Sequence, residues 1–265
     1  KVVRAAEVRL KAAGFTAADY QVIIPPDRPD DGNIVAKIKA ANPTKKGVLL
    51  MGHIDVVDAR REDWERDPFT LFEENGYFYG RGTADMKGQA AVWLDLMLRL
   101  KQEAGFKPSR DVVLALTCGE ETSNRINGID YILKNHKQWF DVAFALNEGA
   151  GGLLSDDGKA LVLQIQAGEK IHQVYELEVT NPGGHSSRPT PDNAIYQLMA
   201  ATKKVEAVSF PVQVTPVNRE YFRITGPILG GEIGKAMTAV AKNPDDQAAL
   251  AVLLADPTYN ASLHT

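Results

Sequence analysis

The chain has 265 residues, 44% hydrophobic and 24% charged, which is enough apolar mass to bury a core and excludes a disordered, fibrous or membrane-embedded chain. Length alone fits one large domain or two smaller ones. With 30 Lys and Arg against 34 Asp and Glu the net charge is −4, which argues against nonspecific nucleic-acid binding, because that needs a basic field.

The first residues are amphipathic, with Val2, Val3, Ala6, Val8 and Leu10 apolar and neither methionine nor a cap ahead of them, so the chain is expected to start partway into a helix. Apolar runs predict strands at 33–38, 47–51, 111–117, 142–146 and 160–165. They alternate with helical patterns, the signature of a mostly parallel sheet flanked by helices. Met86, Ala90, Trp93, Met97 and Leu100 recur at spacings of four and three, predicting a helix of about five turns with Asp85 at its mouth. A second helix is expected over 129–136. After Gly168 the period changes, and 172–180 alternates through Val174, Leu177 and Val179 as a strand wetted on one face does. The loop Asn181-Pro182-Gly183-Gly184 then leads to a helix over 192–205. A second domain is therefore expected, with 1–168 and 169–265 as the two parts. Five prolines, at 211, 216, 227, 244 and 257, interrupt the remainder, leaving helical patches at 232–241 and 246–254. Residues 259–265 stop without a turn or helix-stop signal, so a piece of a longer protein is expected.

The lone cysteine, Cys118, excludes an intrachain disulfide and a thiolate zinc cluster, and directs attention to carboxylates and imidazoles. His53 and Asp55 follow an apolar run, and functional groups in open α/β sheets gather at the carboxyl ends of strands. Two apart on an extended segment, they point the same way, so Asp55 can accept the second N–H of His53, fixing its tautomer and raising its basicity as a metal ligand. A buried histidine satisfied by a local carboxylate is the plain alternative. The turn from Gly80 to Gly88 fails as a dinucleotide fingerprint, because Asp85 stands where a third glycine belongs and no clear strand runs straight into Gly80 within a βαβ unit. Asp85 then serves either as a helix N-cap or as a metal ligand carried in by the glycines.

Glu120 and Glu121 follow a third strand. Adjacent carboxylates there face different directions, so one can hold a metal while the other moves a proton; a solvated acidic turn is the alternative. Glu148 repeats that placement after the strand at 142–146, or is a loop acid. Together His53, Asp85, Glu121 and Glu148 form an oxygen-rich set suited to zinc, cobalt or manganese, with acids enough to bridge two ions. No G-x-S-x-G elbow is present for a serine hydrolase.

Across five ordered motifs, at 52–55, 80–88, 119–121, 147–149 and 183–193, the chain resembles the dinuclear zinc peptidases and amidohydrolases that include carboxypeptidase G, aminoacylase, carnosinase and succinyl-diaminopimelate desuccinylase. The resemblance implies a zinc-exopeptidase-like α/β catalytic domain followed by an α+β lid and dimerisation domain, incomplete here because the second ion's histidine comes from a later stretch and His264 does not match it. It implies two Zn2+ ions, with Co2+ or Mn2+ as substitutes. His53 would bind one ion, Asp85 bridge both, Glu121 bind the second and Glu148 complete the first, with Asp55 supporting His53. Glu120 would be the general base that takes a proton from the attacking water and delivers it to the leaving amine. The Asp85–Met86 peptide would be cis, and His185 would stabilise the oxyanion in a partner subunit's site; on its residues alone His185 reads as a turn histidine. The implied substrate is a dipeptide, small peptide or N-acyl amino acid, and the implied partner a second copy joined through the lid. The rival expectation is an incomplete, noncatalytic metal-binding or dimerisation scaffold. His136 is expected to be solvated, His172 lies near the hinge without marking as a ligand, and Cys118 is expected to be a small buried residue. No signal peptide or membrane span is evident, and the compartment stays open between cytoplasm, periplasm and exterior.

Overall fold

The apolar runs at 33–38 and 112–117 become strands covered on both faces, whereas the run at 142–146 becomes a largely exposed edge strand. A computed structural model describes residues 1–122, 125–155, 157–171 and 173–264, and it divides into two compact units, Lys1–Glu148 and Gly149–Thr265. In the first unit α1 (Val2–Ala12) precedes β1 (Tyr20–Ile23), β2 (Asn33–Ile38) and β3 (Gly47–His53). A small hairpin follows, β4 (Phe72–Glu74) and β5 (Tyr77–Tyr79), then α2 (Gly88–Gln102), β6 (Val112–Thr117), α3 (Gly128–Asn135) and β7 (Val142–Leu146).

The main sheet has the order β1-β2-β6-β3-β7. β2 runs against both of its neighbours while β3 runs along β6 and β7, so four of the five strands share one direction. Every residue of β2 and β6 is buried, as two-sided cover requires. Successive residues face opposite ways: Ile34, Leu50 and Leu114 join Leu10 and Met97 on one side, and Val35, Leu49 and Val113 join Ile132 on the other.

One expectation shifts here. The helix expected from Met86 begins at Gly88 and runs 15 residues, about four turns. Met86 still belongs to the apolar stripe, because it is buried in the wide turn Thr83–Lys87 with its sulfur 3.2 Å from the His53 amide. The strand that ends just before Gly80, at Tyr79, is β5. It belongs to an exposed antiparallel hairpin turned by Asn75 (φ 52°) and Gly76 (φ 79°), not to a βαβ unit. The case against a dinucleotide loop therefore rests on Asp85 and that pairing.

In the second unit β8 (Gly152–Leu154) and β9 (Ala160–Leu163) form a separate antiparallel hairpin. The run expected to extend the main sheet is thus β9, and this is why the division falls after Glu148 rather than near Gly168. Residues 173–180, expected as a strand, pair with no strand among the described residues, and Val174, Tyr175 and Leu177 are exposed. Alternation supplies an apolar face, but a strand also needs a neighbour to complete its ladder.

Five helices follow: α4 (Ala194–Glu206), α5 (Pro216–Leu229), α6 (Gly231–Lys242), α7 (Gln247–Ala255) and α8 (Pro257–Leu263). α5 and α8 were hidden behind prolines that read as breakers. Pro216 and Pro257 instead occupy first turns, after the capping side chains of Thr215 and Asp256, where a missing N–H costs nothing. Phe222, Met237, Val240, Leu253 and Leu263 fill the core of this bundle. α5 crosses α6 so closely that a Cβ on Gly234 would lie 2.3 Å from the Gly226 carbonyl oxygen. His136, expected to be solvated, is half-buried 6.3 Å from the Tyr131 ring. His264 is half-buried against Asn260, and His172 lies outside the described residues. No described helix is long and apolar enough to cross a membrane.

Candidate metal centre

β6, β3 and β7 are consecutive in the sheet and parallel, so their carboxyl ends open on one edge. His53 closes β3 and is 3% exposed. Its Nδ1 lies 3.2 Å from the Asp55 carbonyl oxygen and 3.6 Å from Asp55 Oδ1. Its Nε2 lies 3.0 Å from Asp85 Oδ1 and 3.3 Å from Glu148 Oε2. A proton on Nδ1, donated toward Asp55, leaves the Nε2 lone pair facing the acids, the tautomer a metal ligand needs. Burial alone would lower the His53 pKa, but hydrogen bonds to Asp55 and Asp85 and the charge of Glu148 outweigh it and hold it at about 9.

Asp55 does more than the expected support of His53. Its nearest approach to the ring is through the main chain, and its carboxylate accepts from the amides of Glu120 (3.4 Å) and Glu121 (3.1 Å). Burial would raise its pKa, and the hydrogen bonds from His53 and these amides bring it below the ordinary carboxylate value.

Asp85 is not a helix cap: Lys87 occupies that position, and the Asp85 carboxylate turns to His53. The Asp85–Met86 peptide is cis. Gly82, at φ 88°, permits the turn, since a Cβ there would meet Val56 at 2.5 Å. Gly119 does the same for the next loop, at φ 80° with the Ile126 carbonyl oxygen 2.0 Å from a would-be Cβ. Burial raises the pKa of both following glutamates, reinforced at Glu120 by the charge of Glu148 and at Glu121 by that of Asp85.

Two groups of donor atoms each lie within 4.8 Å of one another: His53 with Glu120 and Glu148, and His53 with Asp85 and Glu121. The structure therefore brings together all four expected ligands. It adds Glu120, expected only as a base, to one group. Four carboxylates crowding one imidazole repel one another, and a divalent cation answers that excess; oxygen donors with one imidazole suit zinc, cobalt or manganese. The donor set fits a metal.

His185 belongs to the second unit and is exposed; its Nδ1 lies 3.2 Å from the Ser187 amide and 2.8 Å from the Ser187 hydroxyl, and its carbonyl accepts from the Arg188 amide (2.8 Å). Cys118 is buried, and its thiol is pushed up to about 12, first by burial and then by Asp31 and Asp55, so it is a packing residue rather than a nucleophile. Two supporting residues escaped the sequence reading. Gln89 Nε2 donates to the Asn147 carbonyl (3.1 Å) beside Glu148, and Asn33 Oδ1 accepts from the Cys118 amide (2.9 Å). Neither carries a local signal, because each bond joins distant stretches of chain.

Residues 49–254 match the family described as peptidase family M20/M25/M40. N-fatty-acyl-amino acid synthase/hydrolase PM20D1 of Xenopus tropicalis is 32% identical over 178 residues, 66% of this chain and 34% of the relative. Aminoacylase-1 of Dictyostelium discoideum is 30% identical over 176 residues, 66% of this chain and 41% of the relative. Among solved structures, the M20 family metallo-carboxypeptidase Sso-CP2 from Sulfolobus solfataricus is 27% identical with a TM-score of 0.44, over 59% of this chain and 33% of that one. The chain thus spans 34% to 41% of the length of these curated relatives. The family match runs from β3 into α7 and takes in His53, Asp55, Asp85, Glu120, Glu121 and Glu148: the chain belongs to peptidase family M20/M25/M40.

Proposed function

We propose that the chain carries the metal centre of a hydrolase that cleaves an amide or peptide bond in a dipeptide, small peptide or N-acyl amino acid. The observation that carries the proposal is the convergence of His53 Nε2 with Asp85 and Glu148, at 3.0 and 3.3 Å, in front of the Glu120-Glu121 pair. His53, Asp85, Glu121 and Glu148 would hold two zinc ions. Bound zinc supplies Lewis acidity, polarising the scissile carbonyl and lowering the pKa of water toward neutrality.

The remaining work falls to the chain's own groups. Glu120 accepts the proton that the attacking water loses and returns it to the amine nitrogen as the C–N bond breaks; its raised pKa suits a group that must take a proton and give it back. Asp55 fixes the imidazole of His53 and, through two amides, the direction of both glutamates. His185, acting in the site of a second copy joined through the second unit, donates a hydrogen bond to the developing oxyanion. The names of two curated relatives, an N-fatty-acyl-amino acid hydrolase and an aminoacylase, favour an N-acyl amino acid over a peptide.

Elemental analysis of the zinc-loaded full-length protein, with hydrolysis of N-acyl amino acids and dipeptides, tests this. About two ions per chain with turnover is the expected result. At most one ion and no turnover would establish the rival reading, a metal-binding or dimerisation scaffold.

A further inference from the structure

Glu120 and Glu121 sit on the loop that leaves β6 at Cys118 and reaches α3 at Gly128, described over 118–122 and 125–128, and much of what fastens it lies away from the donor atoms. At its base the Gly128 amide donates to the Cys118 carbonyl (2.7 Å) and the Cys118 amide donates to Asn33 Oδ1 (2.9 Å). Asn33 is fully buried, and its Nδ2 donates to the Asp31 carbonyl (3.0 Å). Asp31 closes the ring: its Oδ1 accepts from Arg125 at 2.7 Å, while its side chain is only 4% exposed and that of Arg125 is 47% exposed. Arg125 is itself on the loop, and its amide donates to the carbonyl of Thr122 (3.0 Å), next to Glu121.

Taking the Asp31 carboxylate out of water is costly, and its half-exposed partner Arg125 repays that cost only in part. Stability alone therefore does not account for it. Its geometric effect is specific: the pair ties the Arg125 side to the stretch before β2, and Gly119 packs so closely against the Ile126 carbonyl oxygen that a Cβ there would lie 2.0 Å from it. The other side then presents the Glu120 and Glu121 amides to Asp55.

We infer that Arg125 is a positioning residue: through its ion pair with Asp31 it sets the direction of Glu120 and Glu121 from outside the metal centre. The inference rests on the proposed function only in taking these two glutamates as working groups. Two readouts on Arg125→Met, Arg125→Lys and Asp31→Asn separate the two ideas. The first is amide hydrogen exchange in chelator-treated protein. Arg125→Met is expected to speed exchange at Glu120 and Glu121 by roughly tenfold, with β6 unchanged. The second is zinc affinity, by competition with a chromophoric chelator. It is expected to weaken by about 10- to 100-fold, as when groups behind a ligand are lost, and Arg125→Lys should recover most of both effects. Asp31→Asn removes the buried charge instead of leaving it unpaired, and is expected to shift both readouts the same way even if Arg125→Met fails to fold. Parental exchange and affinity in the folded variants, with or without a lower melting temperature, would overturn the inference and leave the pair a mere clip. A parent that takes up no zinc would sink the proposed function instead, while the exchange measurement still decides the role of Arg125.

Discussion

The loop bearing Glu120 and the loop bearing His185 are both glycine-led turns with a candidate catalytic group, and they are held in opposite ways. Glu120 and Glu121 are tied by their amides to Asp55 and by the loop's base to buried Asn33, so the sheet itself dictates where they stand. His185 bonds with Ser187, two residues on, in an exposed segment. A group that acts within its own fold is built on strand ends and locked by long-range bonds. A group whose hydrogen bonds, among the described residues, stay within its own turn has no such long-range lock.

Substitutions can break this contrast. The largest expected effect is at Glu120: in the full-length protein Glu120→Gln should lower kcat by about 10²- to 10⁴-fold with zinc content unchanged, checked by steady-state rates beside elemental analysis. Next comes His185→Ala, expected to lower kcat by about 10²- to 10³-fold, as loss of one oxyanion donor does, while changing unfolding free energy by less than about 0.5 kcal/mol. A marked loss of stability there would show that the His185 loop is locked after all. Asn33→Ala should cost about 1–3 kcal/mol in urea unfolding, because the buried Cys118 amide loses its acceptor. An unchanged midpoint would mean that the loop does not depend on β2.

The smallest effect concerns pH. In chelator-treated protein the fold favours protonated His53, whose pKa is held at about 9 against an ordinary 6.5. That stabilisation is complete below pH 6.5 and is lost as pH rises toward 9. Zinc competes with the same proton, so its affinity should climb over the interval in which the stripped protein weakens. Stability that stays flat between those pH values would show that the imidazole carries no proton in front of the acids.

Much of the first unit was legible because β2, β3, β6 and β7 are continuous apolar runs, and three of the four expected ligands come at or just after a strand end. What stayed hidden was either short or distant. β4 and β5 have three residues each, too few to show a period, although Asn75-Gly76 marks their turn. The Asp55–Glu121 and Asn33–Cys118 bonds span 66 and 85 residues, a separation no local pattern encodes. In the second unit proline chemistry misled: the same residue that breaks a helix interior begins a helix when a threonine or aspartate caps it, as before Pro216 and Pro257.

The strand order carries a consequence in time. β3, which ends in His53, lies between β6 and β7, and both are made later than it is. During synthesis its apolar Val48, Leu49 and Leu50 emerge with two open edges and wait for partners far down the chain. Such nonlocal, parallel pairing closes slowly and leaves the nascent strand open to wrong associations. Pulsed hydrogen-exchange labelling during refolding should find the β3 amides protected no earlier than those of β6; earlier protection would mean that β3 is shielded by something other than its sheet neighbours. The centre thus cannot form before the later strands that flank the histidine-bearing one are in place.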